Sequence, residues 1–391
     1  MTRAIHTLTL SVFVVFLFSF SVLFWILPDQ AFSEQENRSL RTLPAFSARR
    51  LASGEYACEI NDYFADQFPL RNTFVGWKGA AEIVLGKGEN NGILLGRGGQ
   101  LGRRLFDIMG SQGETVRDLD IPDPRHLEGA IEGIVRTDAA LSVPFTVLLT
   151  GRSVDVAAEA FFYPSIYSDR MLQLLREGLS RKVTYLDTVP MYRERYGAGE
   201  YVYYRTDHHW TTLGAYYAYV EIMKSYGMEG EVIPMEAFAR QKVSDSFFGT
   251  SWSAGGMKLV PPDRVEIWML GNEGEFSVTA DGRELGSFYS MERLLEKDHY
   301  SVFLDGTHDV VTIKKRTEEE RPTLLLFKDS FANPVAPFLA QHFDLVLLNL
   351  SSTRTDYTDV TAYTERYGAD AVLLIYTLEN VMTTNKMNDL Q

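Results

Sequence analysis

Thr323-Leu324-Leu325-Leu326-Phe327-Lys328-Asp329-Ser330-Phe331-Ala332-Asn333-Pro334 opens as an unbroken apolar run and stops abruptly in polar residues. A run without polar alternation suits a strand covered on both faces, and such strands lie inside parallel sheets. Two more runs of this kind follow, at 345–348 and 371–375. Upstream, a helical pattern over 125–139, a strand-like run over 145–149, a helical pattern over 169–179 and a strand-like run over 183–186 take turns. That alternation is what crossover helices between parallel strands produce, so the expected fold is α/β, a parallel sheet flanked by helices. A short helix should follow Ser330, bent or shortened by Pro337. Between the two blocks, 231–321 mixes glycine, aromatic and polar residues without a helical period and reads as an irregular, strand-rich insertion.

Nearer the N-terminus, Ile60, Tyr63, Phe64 and Phe68 keep helical spacing up to Pro69, and Phe74, Trp77, Ala81, Val84 and Leu85 repeat it up to Gly86. Two helices broken at Pro69 are expected. Asn90-Asn91-Gly92 and Gly96-Arg97-Gly98-Gly99 bracket Ile93-Leu94-Leu95, a short strand between turns. These glycines serve turns, since the phosphate-cradling Walker pattern is absent.

From Leu8 to Leu27 there is no charge, and the segment is dense in Val, Phe and Leu. It matches the roughly 20 residues that cross a bilayer. The run ends in Trp25-Ile26-Leu27-Pro28-Asp29-Gln30 without a small-x-small cleavage site, which favours an uncleaved anchor. Arg3 precedes it, whereas Asp29, Glu34 and Glu36 follow, so the positive-inside rule leaves a short cytoplasmic N-terminus and places the rest outside. The expected organisation is residues 1–7 cytoplasmic, 8–27 a transmembrane anchor, 28–50 a polar linker and 51–391 one domain carrying the 231–321 insertion.

The 391 residues include 45% hydrophobic side chains, enough for a large core, and 52 acidic against 38 basic residues, a net charge of −14. Such a field repels phosphate backbones, so no nucleic-acid partner is expected. Cys58 is the only cysteine, which excludes an intramolecular disulfide and a cysteine metal knuckle.

The second informative stretch is Thr206-Asp207-His208-His209-Trp210, just ahead of an apolar helical pattern that Thr211 or Thr212 can cap. Serine is a poor nucleophile at neutral pH. Acyl chemistry therefore needs an imidazole to take its proton and a carboxylate to orient the imidazole. In an extended or turn segment, residues two apart project to one side, so Asp207 can reach His209 while His208 points away. Ser330, at the end of an apolar strand, is the candidate nucleophile, and its own N–H a natural donor to an oxyanion. Ser153 in Gly151-Arg152-Ser153-Val154-Asp155 is a rival, but it lacks the second glycine of a nucleophile elbow and reads as a turn serine. Asp207, His208 and His209 with His299 or His308 could instead hold a metal, which diverging neighbours in an extended segment disfavour. Arg205 and Trp210 are candidate substrate contacts. The tyrosines at 201, 203, 204, 216, 217 and 219 line either a sugar cleft or the core.

Asp207-His208-His209-Trp210, together with Glu36-Asn37-Arg38, Phe64-Ala65-Asp66-Gln67-Phe68-Pro69-Leu70-Arg71 and 328–334, resembles the DHHW proteins. These are similar to the alginate O-acetyltransferase group of SGNH-hydrolase-like proteins. The resemblance implies an SGNH-hydrolase-like domain with a Ser330, His209, Asp207 triad, the acid and base preceding the serine in sequence. Asn333, Asn349 and Asn380 are candidate oxyanion donors in place of the usual glycine and asparagine motifs. The expected activity is serine-dependent O-acetyl transfer or de-esterification on a cell-envelope polysaccharide, without metal or organic cofactor. A transferase would need an acyl exporter in the membrane as a partner. The rival expectation is a noncatalytic polysaccharide-binding or assembly protein on the same fold.

Overall fold

The structure, a computed structural model, describes residues 2–33, 38–103, 105–109, 115–119, 124–161 and 166–391. Glu34, Glu36 and Asn37, read above for topology and resemblance, lie outside these. The chain forms two compact units, Met1–Lys87 with Gly256–Leu259, and Gly88–Gly255 with Val260–Gln391. The single domain expected over 51–391 is thus divided at Lys87, and the early helices group with the N-terminal segment.

The first unit begins with a helix over Thr2–Ile26. Its stretch Ile5–Ile26 has a mean hydropathy of 2.4 and is long and apolar enough to cross a membrane. The two helices expected around Pro69 are Glu55–Asp66 and Arg71–Val84. Proline has no N–H to extend the first, and Leu70 turns the chain at φ 59°. The polar segment expected as a linker is folded: Arg41 N–H donates to Asp66 Oδ2 at 2.9 Å, and Gln67 Nε2 donates to the Arg41 carbonyl at 2.8 Å.

The second unit is built on eight strands: β1 Phe145–Thr150, β2 Thr184–Leu186, β3 Phe276–Ala280, β4 Arg283–Leu285, β5 Val310–Lys315, β6 Thr323–Lys328, β7 Asp344–Asn349 and β8 Ala371–Thr377. Their order is β4-β3-β5-β7-β6-β8-β1-β2. Pairing is parallel from β7 through β2 and antiparallel from β4 through β7. The apolar runs behave as a strand buried on both faces must. Leu324 and Leu326 pack into one core with Leu345, Leu347, Leu373 and Ile375, while Leu325 and Phe327 point into the other with Val346, Leu348, Val372 and Leu374. The chain leaves β6 for β7 on one side and returns to β8 on the other. β6 therefore lies between the two strands that follow it in sequence, and its carboxyl end is flanked by theirs.

The insertion expected over 231–321 is only partly separate. Ala239–Phe247 and Asp263–Met269 form a two-stranded antiparallel ribbon, but β3, β4 and β5 extend the main sheet. Their alternating burial hid this, because an edge buried on one face reads as irregular beside continuous apolar runs. Leu326→Ala empties a fully buried site in the central strand. We expect it to lower the unfolding free energy by about 2–5 kcal/mol, measured by chemical denaturation of the detergent-solubilised chain.

Candidate functional site

Ser330 follows β6 directly and opens a 3-10 turn, Ser330–Ala332. The cap of that turn is Asp329, whose Oδ1 accepts from Phe331 N–H at 3.0 Å and whose Oδ2 accepts from Thr377 N–H at 2.7 Å and Asn380 Nδ2 at 2.9 Å. This leaves the Ser330 hydroxyl free to face outward, and the Ser330 N–H makes no hydrogen bond among the described residues. The capping side chain and the outward-facing hydroxyl therefore belong to neighbouring residues.

Ser330 Oγ lies 2.7 Å from His209 Nε2, and His209 Nδ1 lies 2.5 Å from Asp207 Oδ1. The two segments are brought together by buried polar struts. Trp210 Nε1–H donates to the Phe331 carbonyl at 2.9 Å, and Tyr300 O–H donates to the Ser330 carbonyl at 3.0 Å while its ring stacks on His209, centroids 3.7 Å apart. Burial pushes the Tyr300 phenol well above its ordinary value, so it stays a donor.

The Asp207–His209 segment is a bend rather than an extended stretch. Tyr204 N–H bonds the His209 carbonyl at 3.1 Å and Thr211 N–H the Val202 carbonyl at 2.9 Å, closing a tight loop ahead of the helix Thr212–Ser225, which Thr211 caps. The bend corrects one expectation: His208 does not point away, and its ring lies 3.9 Å from that of His209. His208 Nδ1 meets Thr250 Oγ1 at 2.6 Å.

Asp207 is buried, and a buried carboxylate needs donors to stay ionised. It accepts from His209 N–H at 3.0 Å, Thr250 N–H at 2.8 Å and Thr250 Oγ1–H at 3.0 Å. Burial alone would raise its pKa, but the two imidazoles and these donors hold the carboxyl well below the usual range. An ionised carboxylate only accepts, so His209 Nδ1 carries the proton and Nε2 presents a lone pair to Ser330 Oγ. Burial, and the His208 ring beside it, lower the His209 imidazole to about 4 against the opposing pull of Asp207. The ring is neutral at neutral pH, as a general base must be.

No local pattern along the chain marks the residues beneath this line. Thr250 opens a short helix, Thr250–Gly255, between the two ribbon strands, and Gly249 lets it approach, since a Cβ there would overlap Asp207. Asp263, fully buried, accepts from Arg205 N–H at 3.0 Å, Thr206 N–H at 2.7 Å and Thr206 Oγ1–H at 2.5 Å, and also from Tyr201 O–H. It holds the backbone immediately before Asp207. No residue pattern announces a carboxylate that acts through tertiary contacts.

The remaining candidates separate cleanly. Trp210 is fully buried and fastens the loop rather than facing a ligand. Asn333 is spent: its Oδ1 accepts from the buried Lys328 Nζ at 2.7 Å, and its Nδ2 donates to the Gly306 carbonyl at 3.0 Å. Asn380 is committed to Asp329. Asn349, at the end of β7 and paired in register with Lys328, uses its Oδ1 for Ser351 N–H but makes no hydrogen bond through its amide nitrogen among the described residues. Arg205 is turned to the Tyr201 ring and Asp263. Ser153 is buried and donates to the Leu101 carbonyl at 3.1 Å. Tyr203, Tyr204 and Tyr219 are core residues.

Asp207, His208 and His209 bring ligand-type atoms within 4.8 Å of one another, a spacing a metal ion accepts. Both ring nitrogens of His209 are already engaged, however, and an ion there would displace either Asp207 or Ser330. The further histidines considered for such a site are engaged too, His299 Nδ1 with Ser244 Oγ at 2.7 Å and His308 Nδ1 with Asp281 Oδ2 at 3.3 Å.

The family model described as DHHW protein matches residues 169–259, the segment that holds Asp207-His208-His209-Trp210 and Thr250. The resemblance read from the sequence holds there. Among solved structures, a DHHW family protein from Eubacterium siraeum DSM 15702 superposes with a TM-score of 0.54 at 19% identity, covering 77% of this chain and 95% of that one. Bacillus cereus PatB1 with a sulfonyl adduct superposes at 0.59 and 19% identity, covering 75% and 96%. The O-acetyltransferase domain of Pseudomonas putida AlgJ superposes more loosely, at 0.46 and 15% identity, covering 75% and 93%. No curated protein matches the sequence. The expected α/β fold, a largely parallel sheet flanked by helices, is shared with the first two of these structures.

NMR titration of the His209 ring should give a midpoint of about 4, and Asp207→Asn should lower it further by removing the carboxylate that pulls it upward. A midpoint near 6.5, the ordinary value, would contradict the burial described here. Gly249→Ala should push the Thr250 segment off Asp207 and shift that midpoint together with the Thr250 amide resonance.

Proposed function

We propose that this chain is a membrane-anchored, outward-facing serine enzyme that transfers or removes acyl groups, O-acetyl above all, on a cell-envelope polysaccharide. The observation that carries the reading is the unbroken hydrogen-bonded line from Ser330 Oγ through His209 to Asp207. In the proposed reaction, Ser330 Oγ attacks the acyl carbonyl as His209 Nε2 takes the hydroxyl proton. Asp207 holds the ring and offsets the charge it gains. The oxyanion forms beside the free Ser330 N–H, with Asn349 as the remaining side-chain candidate. His209 returns its proton to the leaving alkoxide, which leaves an acyl-serine. Water or a sugar hydroxyl then gives its proton to His209 and attacks that acyl group; the bond to Ser330 Oγ breaks, Oγ takes the proton back from His209, and the acid or the acetylated sugar is released. The chemistry calls on no metal or organic cofactor.

The resemblance to the DHHW proteins supports the acetyl and polysaccharide assignment, and the apolar Ile5–Ile26 stretch supports the anchor. With the anchor in place, transfer requires an acyl donor on the outer side, so a membrane acyl exporter is the proposed partner. Water access to the acyl-serine decides between esterase and transferase.

The purified chain should hydrolyse a chromogenic acetyl ester. Ser330→Ala and His209→Ala should each cut kcat by about 10³-fold or more, while Ser153→Ala leaves it near the parent value. Activity that survives Ser330→Ala, or an intact chain inert toward every acyl ester and donor tried, sinks the reading; the second result points to the binding or assembly protein.

A further inference from the structure

The first unit ends its apolar helix against a pair of helices that a water-soluble protein would not leave so bare. Within Glu55–Asp66 and Arg71–Val84 and the turn between them, Phe64, Phe68, Leu70, Trp77 and Val84 are all exposed, Trp77 to 65% and Val84 to 78%. Scattered single exposures are ordinary, but a contiguous apolar set of this kind marks an interaction surface.

Its depth follows from its contacts. Phe20 of the apolar helix stacks on Phe68, centroids 5.3 Å apart and planes at 7°, and packs on Phe74 at 5.6 Å. Phe24 packs on Phe64 at 4.9 Å and on Tyr63 at 5.8 Å. At about 1.5 Å rise per residue, Phe20 lies about 9 Å and Phe24 about 3 Å short of Ile26. The 22 residues Ile5–Ile26 extend about 33 Å, close to the roughly 30 Å hydrocarbon thickness, so little of the helix is left over to stand clear of the bilayer. The rings of Phe64, Phe68 and Phe74 therefore sit level with its last two turns.

The polar contacts mark the other side of the same boundary. Tyr63 O–H donates to Asp29 Oδ1 at 3.0 Å. Gln67 accepts from the Gln30 N–H at 2.9 Å and donates to the Gln30 carbonyl at 3.0 Å. Tyr63, in the last turn of the first helix, and Gln67, its C-cap, reach residues just past the apolar run, while Phe64 and Phe68, the latter in the turn that follows, face its end. Trp77, edge-on to Phe74 at 5.6 Å, continues the apolar side.

We infer that this helix pair is an interfacial membrane element, lodged at the boundary between headgroups and hydrocarbon beside the anchor. Its occupant is the outer lipid surface itself. Glu59 and Asp62 on the first helix give no attraction to anionic lipid, so burial of apolar side chains drives the contact, and a zwitterionic bilayer suffices. The inference rests on the anchor reading and is independent of the acyl chemistry.

The test uses the full chain with Cys58→Ser in phosphatidylcholine nanodiscs, bearing one nitroxide on Trp77→Cys, Lys78→Cys or Val15→Cys. Collisions with oxygen report lipid, and collisions with a water-soluble nickel complex report solvent. The Trp77 and Val15 positions should favour oxygen and the Lys78 position nickel. A Trp77 label as open to nickel as Lys78, with Val15 still in lipid, overturns the inference and leaves the anchor. A Trp77 label shielded from both reagents means a protein contact and also overturns it. A Val15 label open to nickel removes anchor and inference together, with the reaction at Ser330 unaffected.

Discussion

A single indole hydrogen bond holds the site's two halves in register. Trp210 is fully buried, and a buried indole N–H must find an acceptor or lose the free energy of its lost water contact. It finds the carbonyl of Phe331, 121 residues downstream and next to Ser330. Tyr300 fastens the Ser330 carbonyl in the same way from a third segment. Both hydrogen bonds grip backbone, so the Ser330 hydroxyl and the His209 ring are placed while staying free to bond each other.

The electrostatics follow from this burial. Three carboxyl groups, Asp207, Asp263 and Asp329, surround the site, each largely out of water. Each is surrounded by donors from its own or neighbouring backbone. Local donors make such burial tolerable, and in return they fix the loops' conformations. Only Asp207 also meets an imidazole, and only there is the carboxyl held far below its usual range. The other two brace the chain immediately before the histidine segment and immediately before the serine.

The first unit is governed by the same physics with a different solvent. Its exposed Phe64 and Phe68 and its polar contacts to Asp29 and Gln30 divide between interleaved residues at the end of the helix Glu55–Asp66 and in the turn after it. A bilayer boundary has the same division. The apolar helix end and the helix pair thus share one level rather than forming a free tether.

Much of this was legible along the chain. The continuous runs at β6, β7 and β8 announced strands buried on both faces, because such strands need apolar residues at every position rather than every second one. The Asp207–His209 spacing and the polar break at Ser330 singled out three residues that the fold joins in one hydrogen-bonded line, because the combination of functional groups is rare along the chain. The half-buried strands β3, β4 and β5 were missed as parts of the main sheet, because their alternation depends on which edge they join. Gly249, Thr250, Asp263 and Tyr300 were invisible for a related reason. Each acts through a contact 30 to 58 residues distant in sequence, and its residue type is common elsewhere in the chain. The sequence by itself determined the continuous apolar strands β6, β7 and β8, the apolar helix and which side chains could form a serine, histidine and aspartate line, all of which are local properties of composition and period. Only the tertiary structure decided which asparagine kept its amide nitrogen free, that His208 lies against His209, and that a buried tryptophan joins the two loops, because hydrogen-bond partners and burial exist only once distant segments share one interior.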